Sequence, residues 1–142
     1  MFVAEILRTK GEAVFTTTPD VTVAQASAEL ADKGVGALIV CEGDRVVGVL
    51  SERDIVRGVA ADGAACLTRP VSGYMTGEVV FAAPTETLDD LMNRMTDRRI
   101  RHLPVLHEQR LAGVVSIGDV VKGKIAEATQ EAEELKAYIV SG

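Results

Sequence analysis

Two short phrases carry the residues whose types and spacing suit chemistry: GVLSERDIVRG at 48–58 and GVVSIGDVVKG at 113–123. Each holds a serine and, three residues on, an aspartate: Ser51 and Asp54, then Ser116 and Asp119. The phrase opens on apolar residues that suit a strand and continues as a helix, so serine and aspartate fall at a helix start. Unpaired N–H groups and a hydroxyl at such a start are suited to a phosphate. A carboxylate repels phosphate, but its two oxygens accept from the two hydroxyls of a ribose, the division of labour found in dinucleotide folds. Gly–apolar–apolar–Ser–x–x–Asp therefore suits an adenosine nucleotide. The same pattern is also a helix cap: serine accepts from a free N–H and aspartate favours the positive end of the helix dipole. One side chain can cap and bind, so both readings stand.

The elements that must position these residues are duplicated as well. Residues 19–58 align with 84–123 at a constant offset of 65, without a gap and with 12 identities over 40 positions. Two copies are too few for a solenoid, so two repeats covering each other's apolar side are expected. Each copy reads β-α-β-β-α, giving an α/β (α+β) fold class. Short β segments, AVFTTTP and VVFAAPT, end at Pro19 and beside Pro84, because proline cannot donate to a ladder. TVAQ at 22–25 and TLDD at 87–90 look like capping boxes. Leu88, Leu91, Met92 and Met95 form a one-face helical stripe, and Val23, Ala26 and Leu30 a thinner one with Gly34 as C-cap. The strand pairs GALIVC and VVGVLS, then RHLPVL and LAGVVS, are joined by the turns EGDR and HEQR. The expected divisions are 1–62 for the first repeat, 63–78 for a linker and lead-in, 79–125 for the second repeat and 126–142 for a C-terminal helix. Val121, Ile125, Ala128, Ala132, Leu135 and Ile139 alternate spacings of four and three, a heptad seam. It suits either a helix lying on its own domain or a homodimer contact.

Composition narrows the function classes. Net charge is −6, aromatics are 4% and tryptophan is absent, which argues against binding nucleic acid by charge or by stacking. No apolar run reaches bilayer length, so no membrane partner is expected. Cys41 and Cys66 are unpatterned and, with no signal-peptide stretch, read as reduced thiols of a cytoplasmic protein. His102 and His107 form no recognisable nucleophile pair with either cysteine, and no P-loop, dinucleotide fingerprint or metal-ligand cluster is present. No catalytic or metal residues are expected, and the chain reads as a non-enzyme without a catalytic cofactor.

The whole of residues 1 to about 125 resembles a tandem pair of CBS domains, the regulatory module named after cystathionine beta-synthase. The resemblance lies in GVLSERD and GVVSIGD, the GVGALIV and RIRHLPVL strands, the lead-ins after Pro19 and Pro84, and VSGYMT at 71–76. It implies two repeats related by pseudo-twofold symmetry, a homodimer, and up to two clefts taking AMP, ADP, ATP or S-adenosylmethionine. It further implies that Asp54 and Asp119 hold ribose hydroxyls, and that Ser51, Ser116 and Arg53 face phosphate. Val35, Gly36 and Ala37, with Ile100, Arg101 and His102, match the strand that lines the clefts. The function implied is a ligand sensor that signals to an effector protein; a scaffold that binds no nucleotide is the alternative.

The copies differ where charge matters. The first has Arg53 in its phrase but Gly36 and Ala37 on the preceding strand; the second has Gly118 in its phrase but Arg101 and His102 on that strand. Unequal affinities are expected, with cations for phosphate supplied from different places. Arg94, Arg98 and Arg99 are expected to form a solvated basic rim.

Overall fold

A computed structural model describes residues 1–11 and 14–141. Ala13, which opens the AVFTTTP segment, lies outside the described residues. The chain divides into two units. One takes the N-terminal helix, Phe81–His107 and the chain from Ala112 onward; the other takes the first repeat through Val80, with Glu108–Leu111.

In the unit of the first repeat, β1 (Thr16–Thr17) runs parallel to β2 (Ala37–Glu42), which pairs antiparallel with β3 (Arg45–Ser51). Between them α2 (Val23–Lys33) begins at the expected box, Thr22 and Gln25 bonding reciprocally, and ends at Gly34 in the left-handed region. Its stripe Val23, Ala26 and Leu30 is buried, and Ala26 and Leu30 join Leu38, Val40, Leu50 and Val71 in one core cluster. The helix α3 (Glu52–Asp62) follows β3 directly. The stretch expected as a linker and lead-in contains two 3-10 turns, Gly63–Thr68 and Val71–Gly73.

The second repeat has α4 (Leu88–Arg98), the two-stranded sheet of β4 (His102–His107) and β5 (Arg110–Ser116), and α5 (Ile117–Ser141). Thr87 and Asp90 form its capping box, and Leu88, Leu91 and Met95 are buried. The β segment expected at VVFAAPT shrinks to one bridge, Ala82 with Val105. The chain turns away at once because the Ala83 N–H is taken by the Glu86 carboxylate at 2.9 Å and Pro84 has no donor.

The N-terminal helix α1 (Val3–Lys10), within the 1–62 stretch, has its contacts in the unit of the second repeat. It docks there as the lead-in before the second repeat docks on the first. The Val71 N–H donates to Val21 O at 2.8 Å, Ser72 N–H to Pro19 O at 2.9 Å, and Arg69 O accepts from Val23 N–H at 3.0 Å. Offset by 65 on one side, the Val3 N–H donates to Glu86 O at 2.9 Å, Ala4 N–H to Pro84 O at 3.0 Å, and Met1 O accepts from Leu88 N–H at 3.2 Å. Val3 and Val71 are both fully buried. A strand glycine makes room each time: a Cβ on Gly48 would meet Met75 Sδ at 2.5 Å, and one on Gly113 would meet Leu7 Cδ2 at 2.6 Å. At either glycine a Cβ would fit only if a side chain of the lead-in shifted.

We expect Gly113→Val to overpack this contact and cost about 1–3 kcal/mol, lowering the calorimetric melting midpoint by several degrees, about 2–4 °C per kcal/mol for a chain of this size. An unchanged midpoint would mean that Leu7 yields freely to the added side chain.

Candidate functional site

In the first repeat, β3 ends at Ser51 in extended backbone and α3 starts at the next residue. Ser51 Oγ accepts from the Asp54 N–H at 3.2 Å, while the Asp54 carboxylate accepts from the Ser51 N–H at 2.9 Å. S-x-x-D thus closes as a reciprocal capping box, with aspartate in the place usually held by glutamate. The Glu52 N–H donates to Gly36 O at 3.0 Å, and Ala37 lies opposite Ser51 in the sheet register. The helix start therefore has three segments converging on it: Gly36–Ala37, Ser51 and Asp54. Of the first three helical N–H groups, that of Arg53 has no acceptor among the described residues. Ser51 and Asp54 are half-buried and Arg53 is exposed.

The second repeat reproduces the junction. Ser116 Oγ accepts from the Asp119 N–H at 3.2 Å, Asp119 Oδ2 accepts from the Ser116 N–H at 2.9 Å, and the Ile117 N–H donates to Arg101 O at 2.8 Å. A cation that the sequence reading missed is added here. Lys10 Nζ, at the end of α1, donates to Asp119 Oδ2 at 2.7 Å and to Val114 O at 2.9 Å. Burial alone would raise the Asp119 carboxyl, but bonds from Lys10 and Ser116 and the ammonium charge outweigh it, holding it below the ordinary carboxylate value. A lone lysine in a last helical turn reads as a cation favoured by the helix dipole, so only a tertiary contact could reveal it.

The remaining expected residues fall beside these junctions. Arg101 is exposed and His102, opening β4, is half-buried; Gly36 and Ala37 are half-buried. Val35 packs against the first core cluster, and Ile100 is half-buried with its N–H bonded to Met95 O. Within each repeat, then, the strand start and the Ser–Asp pair are brought together. Arg94 departs from the expected solvated rim: it is half-buried, forks onto the Glu86 carboxylate and donates to Phe81 O at 2.9 Å. That pairing lowers the Glu86 carboxyl. Arg98 and Arg99 are exposed as expected. Cys66 is buried, and Cys41 is partly buried, its thiol raised by burial; both are free. Among the described residues no group of three or more His, Cys, Asp or Glu is placed to hold a metal, and no helix is long and apolar enough to cross a membrane.

Comparison with known proteins matches this duplicated architecture. The CBS domain family model matches residues 3–61 and 71–125. A CBS domain-containing protein of Arabidopsis thaliana named CBSX3, mitochondrial, is 33% identical, over 99% of this chain and 72% of its own. The crystal structure of a CBS-domain containing protein of Agrobacterium tumefaciens superposes with a TM-score of 0.85 at 45% identity, covering 87% of this chain and 92% of that one. A CBS domain protein of Pyrobaculum aerophilum, solved in complex with AMP, superposes with a TM-score of 0.74 at 27% identity, covering 84% of this chain and 89% of its own. With both repeats matched and the strand–helix junction built twice, the chain belongs to the CBS domain family as a tandem pair.

Proposed function

We propose that the chain is a regulatory module that binds an adenosine nucleotide (AMP, ADP or ATP, or S-adenosylmethionine) and signals its occupancy to an effector protein in the cytoplasm, without catalysing a reaction. The observation that carries this reading is the twice-built junction, where a Ser–Asp pair at a helix start meets the opening of a strand. Asp54 and Asp119 would accept from ribose hydroxyls, Ser51 and Ser116 would face phosphate, and the helix N-termini favour its charge. Arg53 supplies a cation in the first copy, and Arg101 with His102 in the second. Val35, Gly36, Ala37 and Ile100 would border the adenine. AMP in the related Pyrobaculum protein supports the ligand class. A ligand shifts a partner's response only as far as it prefers one conformation over another.

The chain's other expected partner is a second copy. The heptad residues Val121, Ile125, Leu135 and Ile139 are 48–66% exposed, and every residue from Ala128 to Ser141 is exposed. A helical segment of that length has little stability of its own in water without packing on its apolar face. Glu131 and Lys136 flank the seam at g and e positions, so a parallel pair of helices sets each Glu131 against the other copy's Lys136. An antiparallel pair in full overlap would oppose Glu131 to Glu131 and Lys122 to Lys136, like charges that disfavour it.

Titration calorimetry with AMP, ADP, ATP and S-adenosylmethionine tests the first reading. We expect Asp54→Ala and Asp119→Ala each to abolish one class of site, one being tighter than the other, and ligand at a hundredfold excess over Kd to add about 2.7 kcal/mol of stability. Flat melting curves and no heat with any of the four would leave the scaffold reading, in which Ser and Asp are caps alone.

Sedimentation equilibrium tests the second. Leu135→Glu with Ile139→Glu should halve the mass, and Glu131→Lys should weaken association until Lys136→Glu is added. An unchanged dimer mass in the double glutamate variant would place the contact elsewhere.

A further inference from the structure

The two junctions share their backbone but differ at one acceptor, and the difference bears on which copy takes ligand. Resting on the nucleotide reading above, we propose that Lys10 is a tethered competitor at the second copy, occupying the carboxylate that ribose hydroxyls would need and leaving the first copy as the open site.

The competition is for lone pairs. A carboxylate gripping a vicinal diol needs a free acceptor direction on each oxygen, and each oxygen offers about two. At Asp54, Oδ2 accepts the Ser51 N–H, and among the described residues no lysine or arginine is paired with this carboxylate as Lys10 is with Asp119. One direction on Oδ2 therefore remains beside those of Oδ1. At Asp119, Oδ2 accepts both the Ser116 N–H and Lys10 Nζ, so both of its directions are filled. A diol can engage Asp119 through both oxygens only if the ammonium leaves.

The lysine is held at this spot by the fold. Val114 O, its second acceptor, is the counterpart of Val49 O at the offset of 65. In the first copy that carbonyl accepts the Thr76 N–H at 2.9 Å, and Thr76 O accepts the Val49 N–H at 3.1 Å, so the lead-in closes the edge of β3 with backbone. In the second copy the equivalent lead-in continues as helix α1 beyond Leu7, and a side chain reaches the edge carbonyl instead. An ammonium is thereby carried to within bonding distance of Asp119.

The contact is also weak enough to be exchanged. The Lys10 side chain is 35% exposed and that of Asp119 is 18% exposed, and ion pairs near solvent contribute at most modestly. Lys10 therefore lowers the affinity of the second copy without closing it, and ligand entry there frees the end of α1.

The test isolates the second copy in an Asp54→Ala background and titrates adenosine and AMP into protein with Lys10 and with Lys10→Met. The expected result is tighter binding in the Lys10→Met protein, by about twofold to fivefold, with Lys10→Arg keeping the weaker value. Unchanged or weaker binding would overturn the competitor role and make Lys10 a bystander or a ligand contact. NMR of the Lys10 ammonium gives an independent readout: it should lose its contact with Asp119 at saturating adenosine, and a contact that persists would also overturn the proposal. In ligand-free protein, the titration midpoint of the Asp119 carboxyl carbon should rise in Lys10→Met, and an unmoved midpoint would remove the ion pair itself. Binding in an Asp119→Ala protein but in no protein relying on the second copy would overturn this proposal alone. No binding in any variant or in the unaltered chain would overturn the nucleotide reading along with it.

Discussion

The interaction on which the rest depends is the reciprocal bond between serine and aspartate where a strand becomes a helix. A helix start leaves N–H groups without partners, and a chain that turns directly from strand to helix must satisfy them within a residue or two. Here the serine hydroxyl takes one, the carbonyl opening the neighbouring strand takes another, and the aspartate returns a bond to the serine N–H. Caps of this kind contribute about 0.5–2 kcal/mol each. Their geometric consequence is larger, because they tie the opening of β2 to the start of α3, and Arg101 before β4 to the start of α5. Residues far apart in sequence, Gly36 and Asp54 or Arg101 and Asp119, become neighbours through backbone bonds. Capping and ligand binding are therefore successive uses of one arrangement, the cap holding the carboxylate where a ribose could meet it.

A second constraint is the close approach of each lead-in to its sheet. Gly48 and Gly113 admit Met75 and Leu7, and buried Val71 and Val3 seat the lead-ins behind α2 and α4. The backbone bonds at Pro19, Val21 and Val23 recur at Pro84, Glu86 and Leu88. The duplicated unit thus includes its lead-in, which in sequence precedes the other copy. In the second copy that role falls to α1 and the two residues before it.

Much of this was legible because it is local. Capping boxes at Thr22 and Thr87, the buried stripes of α2 and α4, both strand pairs and the continuous C-terminal helix follow from periodicities of two and 3.6 and from side chains within three residues of a helix start. The docking of α1 was not legible. Its match to 69–75 keeps Val3 with Val71 at an offset of 68, where the repeat itself runs at 65, and the bonds that define it come from backbone groups that leave no residue signature. Arg94 was misread for a related reason. A row of arginines at a helix end suits solvent, and only the fold brings Glu86 and the Phe81 carbonyl within its reach. The candidate site divides in the same way: Ser51, Asp54, Ser116 and Asp119 could be named from spacing, whereas Lys10 lies 109 residues from the carboxylate it touches.

That last contact shows how duplicated backbones acquire different chemistry. Val49 O and Val114 O are equivalent edge carbonyls, and each needs a donor because an unpaired polar group away from water is costly. A neighbouring strand supplies one by lying alongside, and such a bond cannot exchange without moving the chain. A lysine supplies the other from a flexible stem with three donors, and water or a ligand can replace it while the backbone stays in place. The first solution leaves the nearby carboxylate to its cap alone; the second brings that carboxylate a positive charge. With the lead-in of the second copy helical past Leu7, a side chain meets the edge carbonyl, and the same ammonium bonds Asp119. The asymmetry between the two junctions is therefore a consequence of how one strand edge is satisfied, and no change in the Ser–Asp pair itself was needed to produce it.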